Sequence, residues 1–102
     1  MSAEAVLRAL AEPRRQMILR LLRDQPRSVT EICSHVDVSQ QAVSQHLQVL
    51  ADAGLVTVRP EGRQRLYVID PEGLEHLERF LASLWPKGLD RLKHAVEGKR
   101  GK

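Results

Sequence analysis

SVTEICSHVDVSQQAVSQHLQVLADAGLV, residues 28–56, decides the fold. It opens with a capping-box pattern, in which Ser28 and Glu31 can each satisfy the other's backbone N–H at a helix start. Val29, Ile32 and Val36 then recur at helical spacing. Asp37, Val38 and Ser39 make a tight connection, and Ser39 is a natural cap for a second helix. That helix runs to about Ala53, where Gly54 can take the left-handed conformation that stops it.

Downstream the period changes. Residues 55–59 (LVTVR) and 65–69 (RLYVI) are β-rich, and 60–64 (PEGRQ) lies between them, which predicts a β-hairpin with a glycine at its tip. Asp70 and Pro71 cap and start a long helix carrying Leu74, Leu77, Leu81 and Leu84. Pro86 or Gly88 should bend or interrupt it before Leu89, Leu92 and Val96 resume the stripe. Upstream, residues 3–11 form a short helix with Val6, Leu7 and Leu10 on one face. Pro13 suits the first turn of another, with Met17, Ile18, Leu21 and Leu22 at spacings of three and four, ended by Asp24, Gln25 and Pro26.

Helices joined by a tight turn and followed by a hairpin describe a mainly α (α+β) winged helix-turn-helix: four helices, a β-hairpin wing and a long C-terminal helix. Its 102 residues suit one domain. Residues 1–97 are read as a single DNA-binding and dimerisation domain, and 98–102 as a basic, disordered tail. The formal charge of +3 is supplied by Lys99, Arg100 and Lys102 alone, so any nucleic-acid reading rests on where charges sit, not on their total. Aromatics are only 3%, too few for single-strand stacking platforms. No apolar run approaches the roughly 20 residues a bilayer span needs, and no secretory-signal pattern opens the chain. Cys33 has no intramolecular disulfide partner, which fits a cytoplasmic protein.

The helix after Ser39 carries the functional signal. At about 100° per residue, Gln40, Gln41, Ser44, Gln45 and Gln48 fall in one arc of roughly 140°, with Val43, Leu47 and Leu50 opposite. From Ser39 to Ala51 there is no Asp, Glu, Lys or Arg. A merely solvated face usually carries Glu and Lys. An uncharged one can approach a polyanion, and its glutamines can hydrogen-bond base edges. Ser39, Gln40, Gln41, Ser44, Gln45 and Gln48 are therefore the candidate DNA-reading residues. Arg63 and Arg65, expected on one face of a strand, with Arg59 across the hairpin, are candidates for phosphate or minor-groove contact. The start of the second helix, Pro13-Arg14-Arg15, is a further candidate phosphate contact, or a place for surface salt bridges.

These residues carry a family resemblance. Residues 9–15 (ALAEPRR), 38–47 (VSQQAVSQHL), 50–56 (LADAGLV) and Gly62-Arg63 through Tyr67 resemble the ArsR-type winged-helix repressors of bacteria and archaea, over about residues 3–97. The final helix, with Phe80, Trp85 and Leu89-Asp-Arg-Leu, is more similar to the non-metal, autorepressor-like branch than to the metal sensors. The resemblance implies a homodimer on an inverted-repeat operator in double-stranded DNA, repressing its own or a neighbouring operon. It also implies that Gln40, Gln41, Ser44 and Gln45 stand where the family usually contacts DNA. Burial points to pairing independently: the stripe on the last helix and the first-helix apolars exceed what one small core covers. Val6, Leu7, Leu10, Leu77, Leu81, Leu84 and Trp85 are the expected dimer interface.

No cofactor or metal is expected. Where metal sensors of the family keep Cys-x-Cys, this chain has Cys33 and His35, which helical geometry turns about 200° apart. His76 and His94 lack the family's second motif, although His94 and Glu97 have a ligand-like i, i+3 spacing. The alternatives are a metal-responsive sensor using Cys33 and His35, or a winged-helix module that docks a partner protein. His46, beside Val43 and Leu50 on the wheel, reads as a hydrogen-bonded structural histidine. No glycine-rich phosphate loop, HExxH or nucleophile elbow is present, so an enzyme is rejected.

Overall fold

The computed structural model of the chain describes residues 2–85 together with 87, 91, 94 and 95. Each helix begins where a side chain can replace a missing backbone partner. Helix α1 (Ala3–Leu10) is capped by Ser2, whose hydroxyl accepts from the Ala5 amide at 3.2 Å. Helix α2 (Pro13–Asp24) starts on Pro13, and the Glu12 carboxylate accepts from the Arg14 amide at 3.1 Å. Helix α3 (Val29–Cys33) carries the full capping box: the Ser28 amide donates to Glu31 Oε1 at 2.9 Å, and the Glu31 amide donates to Ser28 Oγ at 3.2 Å. Ser39 caps α4 (Gln40–Asp52) through the Ala42 amide, and Asp70 caps α5 (Pro71–Leu84) through that of Glu72.

Helix α4 stops at Gly54, whose φ of +74° lies in the left-handed region that penalises a Cβ. The Leu55 amide returns to the Leu50 carbonyl, and the Asp70 amide donates to the Leu55 carbonyl at 2.8 Å, which pins the base of the hairpin. Strands β1 (Val56–Glu61) and β2 (Gln64–Ile69) pair antiparallel, Val56 opposite Ile69 and Glu61 opposite Gln64. The hairpin is tighter than its sequence suggests. Pro60 and Glu61 belong to β1, and only Gly62 and Arg63 turn. Gly62 has φ +62° while Arg63 does not have positive φ, the pattern of a type II′ turn. Pro60 is tolerated because the two-stranded sheet leaves β1 an edge where its missing N–H costs nothing. Arg27 adds a short third partner: its backbone exchanges hydrogen bonds of 3.2 and 2.8 Å with that of Tyr67.

The core gathers Val6 and Ala9 of α1, Ile18 and Leu22 of α2, Ile32 of α3, and Val43, Leu47 and Leu50 of α4, closed by Ala53, Leu55 and Val56. Helix α1 packs on α2, α4 and α5, which brings the two ends of the domain together. Side chains that reach back six or seven residues fix these helix ends. Arg15 Nε and Nη2 donate to the carbonyls of Ala9 and Arg8, and Gln16 Nε2 donates to that of Leu10, so α2 caps the C-terminus of α1. Arg27 Nε does the same for α2, donating to the Leu21 carbonyl at 3.1 Å.

This packing corrects one expected interface residue. Val6 is fully buried in the chain's own core, so it is not available to a second copy. Leu7, one position on, is 42% exposed instead. Leu10 and Leu77 pack against the core from half-buried positions, whereas Leu81, Leu84 and Trp85 are exposed. The bend expected at Pro86 or Gly88, the stripe of Leu89, Leu92 and Val96, residue Glu97 and the basic tail 98–102 lie outside the described residues.

Candidate nucleic-acid interface

Helix α4 is held by its buried side. Val43, Leu47 and Leu50 are at most 1% exposed, so rotation about the helix axis would pull large apolar side chains into water. The opposite side is thereby fixed outward. Ser39, Gln40, Gln41, Ser44 and Gln45 are all exposed in the cap and first turns of α4. No acidic side chain occupies that first turn, so the partial positive charge of the helix N-terminus is left uncompensated. Ser39 Oγ accepts from the Ala42 amide at 3.1 Å, and its own proton remains available to an incoming oxygen. Gln48 differs. Its Nε2 donates to Asp52 Oδ1 at 2.8 Å, so this glutamine is already engaged and stands beside a carboxylate.

The wing follows directly, because Gly54 turns the chain from α4 into β1 and the two elements touch. Arg63 sits in the turn itself, not in a strand, so the expected shared face of Arg63 and Arg65 is not set by strand alternation. Arg65 pairs with Pro60 and Arg59 with Leu66, which puts Arg59 and Arg65 on opposite faces of the hairpin. Arg59 is partly neutralised by Glu61, Nη2 to Oε2 at 3.3 Å. Arg63 and Arg65 make no ion pair among the described residues and are exposed.

At the start of α2 the arginines are engaged by the protein itself, and the surface salt bridge, one of the two expectations, is present. The Glu12 carboxylate occupies the Arg14 amide and lies 3.7 Å from the Arg14 guanidinium. Arg15 is committed to the end of α1, and its Nη1 lies 3.4 Å from Nδ1 of His46. A guanidinium can only donate, so in this contact Nδ1 is the acceptor. His46 thus ties α4 to α2, in keeping with a structural role. His35 Nδ1 lies 2.9 Å from the Glu31 carbonyl, a contact in which the ring donates. Cys33 packs against the core while His35 is exposed. Among the described residues no three His, Cys, Asp or Glu side chains gather as a metal site would require.

The sequence profile of bacterial regulatory proteins of the arsR family matches residues 12–58, which span α2 to the middle of β1. The HTH-type transcriptional regulator Rv2034 of Mycobacterium tuberculosis is 41% identical over 88 residues, covering 86% of this chain and 82% of that protein. The HTH-type transcriptional repressor SmtB of the same organism is 42% identical over 96 residues, 94% of this chain and 64% of its own length. A crystal structure described as a possible transcriptional regulator for arsenical resistance superposes with a TM-score of 0.70 at 42% identity, covering 88% of this chain and 94% of that one.

Proposed function

From the fact that the chain belongs to the arsR family, and is a DNA-binding transcriptional regulator of the repressor type and not an enzyme, we propose that it acts as a twofold homodimer on an inverted-repeat operator. In this reading it represses its own or a neighbouring operon in the cytoplasm, where DNA is accessible. Among the described residues no helix is long and apolar enough to cross a membrane. The observation that carries the proposal is the outward, carboxylate-free start of α4, fixed by a fully buried opposite side.

Two such helices related by a twofold axis enter successive major grooves about 34 Å apart, and a palindrome matches that symmetry. Gln40, Gln41, Ser44 and Gln45 read base edges, and Ser39 with the α4 N-terminus positions a phosphate. Arg63 and Arg65 supply charge to the flanking backbone. Gln48, engaged with Asp52, contributes least. Pairing uses Leu7 of α1 and Leu81, Leu84 and Trp85 of α5, with Leu10 and Leu77 behind them. Leu84 and Trp85 are 67% and 55% exposed in the single chain, large apolar groups whose burial favours association.

The test is a mobility-shift titration on the chain's own promoter DNA against random competitor, with sedimentation of the free protein. A competitor-resistant complex and a dimer at micromolar concentration are expected. Equal affinity for promoter and competitor at moderate salt overturns operator recognition, and a micromolar monomer overturns the dimer.

A further inference from the structure

Helix α4 meets its neighbours through apolar packing and through a directional joint at His46. This histidine follows Val43 by three residues and precedes Leu50 by four, so it stands half-buried at the border between the packed side and the exposed glutamine face. Its Nδ1 accepts from Arg15 Nη1 at 3.4 Å. The other nitrogens of that guanidinium are held by α1: Nε donates to the Ala9 carbonyl at 2.7 Å and Nη2 to the Arg8 carbonyl at 3.2 Å. One rigid, planar group thus joins the end of α1 to α4. Because α1 holds two of its donors, the third is aimed at the imidazole even though that bond is long. The other side-chain hydrogen bonds given for α4, Ser39 to Ala42 and Gln48 to Asp52, stay within the helix and its cap.

Burial of Val43, Leu47 and Leu50 decides which side of α4 faces inward, but the hydrophobic effect is non-directional and opposes a small slide along the axis weakly. A hydrogen bond has a preferred angle and opposes it. Where the joint leads gives it a role. Helix α1 carries Leu7, exposed and assigned above to pairing, and α5, which carries the rest of that surface, packs on α1. Helix α4 carries the outward residues Gln41 and Ser44. In a twofold dimer the separation of the two reading helices therefore depends on how α1 and α4 are joined in each copy. One base pair displaces a half-site by about 3.4 Å and turns it by about 35°, so play at this joint becomes tolerance of wrong spacings. Resting on the dimeric operator reading, we infer that His46 is a positioning residue for DNA recognition: through Arg15 it locks α4 to the end of α1 and so fixes the half-site spacing that the dimer accepts.

The experiment is a binding selection by the full chain from duplexes of random sequence, about 40 base pairs long, with the bound molecules sequenced. It runs at a temperature where circular dichroism shows every variant folded. The wild type is expected to enrich an inverted repeat, with one half-site spacing favoured over its neighbours by about tenfold or more. His46→Leu should enrich the same half-site sequence with that preference narrowed by about fivefold, the share one hydrogen bond can supply. His46→Asn, whose side-chain oxygen sits on the same carbon as Nδ1 and can accept in its place, should keep the sharp spacing. Should His46→Leu not fold, His46→Ala removes the acceptor without crowding the site and is read in the same way. A purely structural role lowers binding to every duplex together and leaves the spacing profile unchanged, which overturns the inference. So does His46→Asn spreading as widely as His46→Leu, or a changed half-site sequence at a sharp spacing, which makes His46 a base reader. A wild-type selection without any inverted repeat is a separate result: it removes the operator reading itself, and the inference falls with it.

Discussion

Gly73 and Gly54 meet backbone to backbone: the Gly73 amide donates to the Gly54 carbonyl at 3.0 Å, and a Cβ at position 73 would lie 2.7 Å from that oxygen. The contact joins the first turn of α5 to the end of α4, using an amide that a helix N-terminus leaves without an internal partner. Gly73→Ala gains helix propensity worth up to about 1 kcal/mol, but the neighbour is backbone and cannot rotate away. The clash should win. A net destabilisation of about 1–3 kcal/mol is expected in urea unfolding at fixed protein concentration, and an unchanged midpoint contradicts it. At Gly62 nothing lies within 4 Å of a built Cβ, so Gly62→Ala meets only the strain of its positive φ, about 1–2 kcal/mol, confined to the wing.

Much of this architecture is legible because its signals are local. Ser28 and Glu31, Ser39, Gly54 and Asp70 each act within a few residues of themselves, and the structure uses all of them in the roles their sequence suggests. What escapes depends on how side chains and helices settle against one another. Nothing around Arg15 or Arg27 reveals that their guanidiniums close the preceding helices, because that depends on how the chain turns out of α1 and out of α2. Glu12 does not stand out as a cap, because Glu is not among the favoured capping residues. Val6 and Leu7 share an apolar stripe, and only docking against α2, α4 and α5 decides that Val6 turns inward and Leu7 outward. On α4 the buried side fixes the exposed one, so the outward face of Gln40, Gln41, Ser44 and Gln45 is readable from spacing alone. The Gln48–Asp52 bond is not, because side-chain pairing four residues apart is one option among several.

Arg15→Ala should act on stability before it acts on DNA. It removes two donors from the carbonyls of Arg8 and Ala9 and the hydrogen bond to His46, in a half-buried site. Charged hydrogen bonds of this kind contribute about 1.5–3 kcal/mol, and a decrease in that range is expected from denaturant titration. Arg15→Lys should recover little, since one ammonium cannot span both carbonyls and the imidazole. Unchanged stability with weakened DNA binding would instead make Arg15 a phosphate contact.

The α3 capping box predicts an acid-side weakness. Hydrogen bonds from the Ser28 backbone, and then its side chain, hold the Glu31 carboxyl below its ordinary range. A lowered folded value means the contribution is fully present above the unfolded titration and is lost as pH falls through the folded one. Unfolding midpoints should therefore fall between neutral pH and the lower carboxylate range. In Glu31→Gln, whose amide does not titrate, that part of the slope should flatten. A parallel pH profile for wild type and variant removes Glu31 from the account.

The last prediction separates residues that read sequence from residues that only hold on. Gln41 and Ser44 lie in the first turns of α4, exposed and uncharged, whereas Arg63 sits on the two-residue turn of the wing. Neutral side chains can match the donor and acceptor pattern of one base pair while adding nothing to general attraction for phosphate. A guanidinium at a turn attracts any backbone and distinguishes bases little. Gln41→Ala or Ser44→Ala should therefore cost about 1–3 kcal/mol on the operator and leave random-DNA affinity nearly unchanged. Gln48→Ala should cost less than either, because its amide is already donated to Asp52. Arg63→Ala should weaken operator and random DNA alike and reduce the slope of log affinity against log salt by about one unit for each phosphate left without its guanidinium. The measurement is a pair of salt titrations, operator against random duplex, for each variant. Equal weakening on both duplexes for Gln41→Ala, with an unchanged salt slope for Arg63→Ala, would invert the division of labour between α4 and the wing.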